Sequence, residues 1–305
     1  APLIQVGASG SVTIPVSNVT SPGGSAYGVP GGSVPLFIVQ PTISAVAIQT
    51  NPMVSSINNI TVTMTTNVNL APGDVITLSG LEGVQTSGSV ALTDVGGGGS
   101  SVFSDGTSQQ TGLMSGTSLL LTVHTGQTIE AGSDYTFSFQ ILNPPEPQPA
   151  PLIQVGASGS VTIPVSNVTS PGGSAYGVPG GSVPLFIVQP TISAVAIQTN
   201  PMVSSINNIT VTMTTNVNLA PGDVITLSGL EGVQTSGSVA LTDVGGGGSS
   251  VFSDGTSQQT GLMSGTSLLL TVHTGQTIEA GSDYTFSFQI LNPPEPQPAP
   301  LIQVG

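Results

Sequence analysis

Apolar and polar residues alternate with a period of two through much of the chain. Ile60, Val62 and Met64 fall on one side, with Thr61, Thr63 and Thr65 on the other. Tyr135, Phe137, Phe139 and Ile141 are set in the same way against Thr136, Ser138 and Gln140. Period two predicts a β-strand with one face in a core. Ser44, Val46 and Ile48 share a face of a further strand. DVITLSGL at 74–81 and residues 89–95 read as two more, a short strand is expected near Val102 and Phe103, and LLLTVHT at 119–125 reads as buried. Turn signals punctuate these runs, among them APGD at 71–74 and the glycines at 96–99. About seven to eight short strands over residues 42–143 predict a β-sandwich.

The preceding residues, 1–41, have a different pattern. Ile4 and Val6 flank Gln5, and Val12, Ile14 and Val16 alternate with Thr13, Pro15 and Ser17. A proline inside a strand pattern points to a sheet edge. SPGG at 21–24 and PGG at 30–32 are turns, and VPLFIV at 34–39 is a continuous apolar run expected to be covered on both faces. This segment predicts an extended β arm.

Residues 1–149 recur without change at 150–298, and 299–305 begin the sequence a third time. The expected organisation is therefore an arm at 1–41, a sandwich at 42–143, a Pro-rich linker at 144–149, an arm at 150–190, a sandwich at 191–292, a linker at 293–298 and the start of a third repeat at 299–305. Pro144, Pro145, Pro147 and Pro149 favour extended polyproline geometry, a semi-rigid spacer. The APLIQVG that follows each linker alternates like a strand. It is expected to add to a sheet edge of the preceding repeat or of a neighbouring chain, through Leu3, Ile4 and Val6, Leu152, Ile153 and Val155, and Leu301, Ile302 and Val304. Edge addition would also cover strands that otherwise invite aggregation.

Composition narrows the function. The chain has no Lys, no Arg and no Cys, and carries fourteen carboxylates for a net charge of −14. Nucleic-acid phosphates and anionic membrane surfaces both require cationic partners, so neither is an expected ligand. Disulfides and thiolate metal sites are excluded. No apolar run approaches the roughly 18 residues of a membrane helix, and no secretory signal is visible. The absence of an initial Met suggests a segment of a longer, processed chain.

Candidate chemistry is sparse. Asn18-Val19-Thr20 and Asn59-Ile60-Thr61 fit the N-glycosylation sequon, with Asn167 and Asn208 as their copies. His124 and His273 are the only imidazoles. They lie in strand-like runs with no G-x-S-x-G elbow in the chain, so no catalytic residue is assigned. Asp74, Asp94, Asp105 and Asp134 sit in turn-like contexts that suit Asx turns. No D-x-D-x-D-G pattern supports a calcium site, and no cofactor or metal is assigned.

The strings ITVT at 60–63, APGDVITLSGL at 71–81, GQTIEAG at 126–132 and YTFSFQILNP at 135–144 resemble tandem Ig-like β-sandwich repeats of large secreted surface and fibre proteins of microalgae and other protists. The resemblance covers 42–144, and 191–293 in the second copy. It implies an Ig-like or jelly-roll-like extracellular module of structural or adhesive use. The expectation is an all-β structural protein whose identical repeats self-associate into an N-glycosylated extracellular filament. The alternative is a cell-surface adhesin whose loops near 96–99 and 104–110 bind carbohydrate or a surface partner.

Overall fold

A computed structural model describes residues 4–245 and 247–305, so Leu3, one of the expected coupling residues, lies outside the described residues. The protein is all-β, with two β-sandwich domains. Its two compact units are Ala1–Gly173 with Ser182–Ile187, and Ser174–Gly181 with Val188–Gly305. Neither unit coincides with the period of sequence repetition.

In the first unit a short hairpin of β1 (Gln5–Ala8) and β2 (Ile14–Asn18) precedes the sandwich strands. These are β3 (Ile43–Gln49), β4 (Ile57–Thr66), β5 (Val75–Ser79), β6 (Gly88–Gly96), β7 (Phe103–Ser104), β8 (Thr111–Ser115), β9 (Ser118–Val123) and β10 (Asp134–Leu142). One face is ordered β3-β4-β10-β6 and the other β6-β8-β9-β5, with β7 on β9. β6 serves both: its residues 88–91 pair with β8 and residues 92–96 with β10, the latter with a register shift between Asp94 and Gly96. The second face continues past β5 into β11 (Gln154–Ser158) and β12 (Ile163–Asn167), both from the second arm.

The alternating pattern builds the core. Ile60, Val62 and Met64 on β4 and Tyr135, Phe137, Phe139 and Ile141 on β10 are all buried. Phe103 meets Phe137 edge-on at 5.5 Å, and Phe137 stacks on Phe139 at 6.3 Å, separations within the favourable range for aromatic pairs. On β3 the buried face is Ile43, Ala45, Ala47 and Gln49, and the larger Val46 and Ile48 face outward. The Pro-rich linker is docked along this unit. Pro144 is buried, its carbonyl accepts the Ser55 N–H (2.9 Å), and the Gln148 side chain donates to the Glu82 carbonyl (3.2 Å).

The second unit repeats the sandwich as β13 (Ile192–Gln198), β14 (Ile206–Thr215), β15 (Val224–Ser228), β16 (Gly237–Gly245), β17 (Phe252–Ser253), β18 (Thr260–Ser264), β19 (Ser267–Val272) and β20 (Asp283–Leu291). Its sheet ends on β21 (Gln303–Val304), which pairs with β15. The aromatic cluster is preserved, with Phe252, Phe286 and Phe288 at the same separations.

Candidate functional site

The second arm completes the first sandwich. β11 pairs antiparallel with β5 over five residues, Gln154 opposite Ser79 through Ser158 opposite Val75. β12 folds back on β11, and the chain then runs along the outer edge of β3. There Thr169 N–H donates to the Ala45 carbonyl (3.0 Å), Ala47 N–H donates to Thr169 (2.8 Å), and Ser166 Oγ donates to Ile43 (2.6 Å). The arm thus pairs with the last strand of each face and covers both open edges. Apolar side chains follow the backbone into the core: Ile153, Val155, Ala157 and Ile163 are buried with the residues of the first sandwich. Each large aliphatic side chain so buried contributes about 1.5–3 kcal/mol.

Two close contacts fix the arm. Gly80 has φ +83°, and a Cβ there would lie 2.2 Å from the Leu152 carbonyl, so only glycine lets the arm reach β5. The Asp74 carboxylate is buried, with 2% of its surface exposed, and accepts from Ser160 N–H, from Ser160 Oγ (2.7 Å) and from Ala71 N–H (2.8 Å). A buried charge is tolerated when its acceptor sites are filled in this way.

Further along, residues 182–187 close a socket. Leu185 has φ +60° and is fully buried. Its N–H donates to Gln49 Oε1 (2.7 Å), and its carbonyl accepts from Gln148 Nε2 (3.1 Å). Gln49 Nε2 also donates to the Phe186 carbonyl (2.8 Å), and Gln148 and Ile187 exchange backbone hydrogen bonds. Gln49 is itself held by Asn58 Nδ2, which also donates to Asn143 Oδ1. Asn143 in turn donates to the carbonyls of Asn51 and Met53. The run at 34–39 and its copy at 183–188 were expected to form covered strands. Among the described residues they form a turn instead, closed by Phe37 N–H to Val34 and by Phe186 N–H to Val183.

Identical sequence in other positions is bare. In the first arm Val6, Ile14 and Leu36 are 59%, 57% and 64% exposed, while their copies Val155, Ile163 and Leu185 are 1%, 2% and 0% exposed. β3 alternates buried and exposed, whereas β13 is exposed along nearly its whole length. Asp223, the copy of Asp74, is exposed and keeps the Ala220 bond.

The expected coupling residues divide accordingly. Ile153 and Val155 are buried, and Leu152 and Leu301 face solvent. Ile4 is half-buried and Val6 exposed. Val304 packs on the second core, and Ile302 lies on a groove wall beside it. Sequence reasoning missed Leu185, Gln49, Gln148, Asp74 and Ser160. The Pro-Gly-Asp turn was visible, but its partner lies 86 residues away.

Of the sequon residues, Asn18 and Asn167 are exposed on β2 and β12. Each uses its amide oxygen to accept from Gln5 or Gln154 (3.2 and 3.1 Å), whereas a glycan attaches to the nitrogen. Asn59 and Asn208 are half-buried on β4 and β14. His124 is joined to its surroundings through its backbone, to Val102 and Gln127. Among the described residues no group of three or more His, Asp or Glu could hold a metal, and no helix is long and apolar enough to cross a membrane.

No family model matches the chain, and no curated protein matches it. Among solved structures, a GH20 exo-β-N-acetylglucosaminidase from Vibrio harveyi is 10% identical, with a TM-score of 0.26, over 62% of this chain and 24% of that enzyme. A putative membrane anchored protein from Corynebacterium diphtheriae is 10% identical, with a TM-score of 0.23, over 87% of this chain and 90% of that one. The chain thus spans about a quarter of the first protein's length, and both likenesses are too slight to inform function.

Proposed function

We propose that the chain is a structural protein of an extracellular filament, built from identical tandem β-sandwich repeats coupled by strand addition. The partner is another copy of the same module, and the function is mechanical. One observation carries the reading: a single arm sequence is docked across both sheet edges of a sandwich at 150–173 and 182–187, and lies open to solvent at 4–24 and 35–40. An open donor and an acceptor whose β13 edge is unpaired among the described residues give a heterologous, head-to-tail contact, which builds open polymers when the rotation does not close.

The resemblance to secreted protist repeats fits this reading, with N-glycans at Asn18, Asn59, Asn167 and Asn208 covering surface that carries few charges. Electron microscopy of the purified chain at increasing concentration tests the proposal. Uniform fibres with an axial period set by the repeat are expected, and dispersed particles at every concentration would overturn it. Glycosidase treatment of native material tests the sugars, with mass loss expected on peptides carrying the four asparagines.

A further inference from the structure

The second unit has a groove of about 460 Å³ lined by Gln198, Met202, Leu230, Gln297 and Ile302 among others. It is the counterpart of the socket that Leu185 fills in the first unit. Gln198 still accepts from Asn207 Nδ2 (2.9 Å), and Asn207 still donates to Asn292 Oδ1 (3.0 Å), so the polar ladder behind the groove is intact. Gln297 still donates to the Glu231 carbonyl (2.9 Å), as Gln148 does to Glu82. The two glutamines that clasp a leucine peptide in the first unit therefore stand in place on the walls of the second.

We propose that this groove binds the segment at 34–38 of a second copy of the chain, with Leu36 as the plug. The proposal rests on the coupling function of the arm and narrows it to one contact. The free segment already has the bound shape: Leu36 has φ +62° against +60° for Leu185, and the Val34–Phe37 turn bond is 3.1 Å in both copies. A ligand preorganised in this way loses less conformational entropy on docking. The socket also supplies what strand pairing lacks. Main-chain pairing along an edge is nearly indifferent to a two-residue slip. A single leucine held between two glutamine side chains is not, so the plug adds a register-specific contact to those seen at Gly80 and Asp74 in the first unit.

The test uses the whole chain bearing Leu36→Asp as acceptor, so that its own donor is disabled, and a synthetic peptide of residues 1–41 as the probe. Calorimetric titration should give one site per chain. Leu36→Asp in the peptide should weaken binding on the order of 100-fold, the cost of removing a buried leucine. Val16→Asp in the peptide is the control, because Val16 and its docked copy Val165 are both largely exposed, and it should bind like the unaltered peptide. Equal binding by the Leu36→Asp peptide, or equal losses from both substitutions, would overturn the proposal. Peptide binding as described without fibres from the unaltered chain would leave the plug standing and remove the filament. Fibres that form equally well from the Leu36→Asp chain would do the reverse.

Discussion

Asp74 and Asp223 have the same neighbours in sequence and different partners in space. Asp74 accepts two hydrogen bonds from Ser160 in addition to the turn bond from Ala71, and Asp223 keeps the turn bond to Ala220. Replacing either residue with alanine removes the turn bond, so the difference between the two variants isolates the arm contact. Hydrogen bonds to a charged group contribute about 1.5–3 kcal/mol each, net. Asp74→Ala should therefore destabilise the first unit by at least about that much more than Asp223→Ala destabilises the second, read by urea unfolding. Equal losses would mean that Ser160 contributes nothing. Asp105 gives a prediction in pH. Its carboxyl lies well below the usual carboxylate range because it accepts from Ser89 Oγ, from the Ser108 and Thr107 N–H groups and from Thr107 Oγ1. Asp254 is held in the same way by Ser238, Ser257 and Thr256. A folded-state pKa below the unfolded value of about 3.9 gives stability that is complete above that value and is lost as pH falls through the folded one. The loop at 104–111 should keep its order from neutral pH down to about pH 4 and lose it progressively in stronger acid. The Thr107 and Ser108 amide resonances should report this with a midpoint below the ordinary aspartate range, and Asp105→Asn should abolish the transition.

At the scale of elements, β3 and β13 are the same seven residues with different fates. The Ala47 and Gln49 N–H groups donate to Thr169 and Ser182. The edge formed by Ala196 and Gln198 has no such partner among the described residues. Hydrogen exchange depends on such local protection. Peptides covering 43–49 and 192–198 are identical in mass, so exchange should split their isotope envelope into two populations of equal size. Saturation with the 1–41 peptide should merge the envelope into the slow population, and a single fast envelope from the start would show that the arm does not protect β3. The same pair of strands marks the limit of what the sequence discloses. The sandwich was legible because β4 and β10 need one apolar face each, and a period of two records that need whatever the surroundings. That APLIQVG adds to a sheet edge was legible in its alternation, but which copy of the arm docks was not, because one sequence is buried at Ile163 and bare at Ile14. Burial there depends on whether a neighbouring module is present, and no local pattern encodes that. Leu185 was hidden for a different reason. VPLFIV has the composition of a core strand, yet it turns at a left-handed leucine in both copies, and the partners of Leu185, Gln49 and Gln148, lie 136 and 37 positions away.

At the scale of the whole molecule, charge sets how copies can meet. Residues 1–41 contain no Asp, Glu or His, and the remainder of each repeat carries seven carboxylates and one histidine. Coupling through the arm therefore uses hydrogen bonds and apolar burial, with no ion pair for salt to screen. The long-range term between two chains of net charge −14 is purely repulsive. Screening shortens the reach of that repulsion from about 30 Å at 0.01 M ionic strength to about 8 Å at 0.15 M. Association of the chain should therefore strengthen as sodium chloride is raised over this range at pH 7, the opposite of an interface steered by complementary charge. Acidification toward pH 4 should act in the same direction by neutralising part of the carboxylate charge, before the loops at Asp105 and Asp254 are affected. Light scattering at fixed protein concentration across both titrations reads the effect. Weakening with salt would mean that ionic complementarity drives assembly. An apolar plug between uncharged glutamines, on an arm without a formal charge, offers no basis for that.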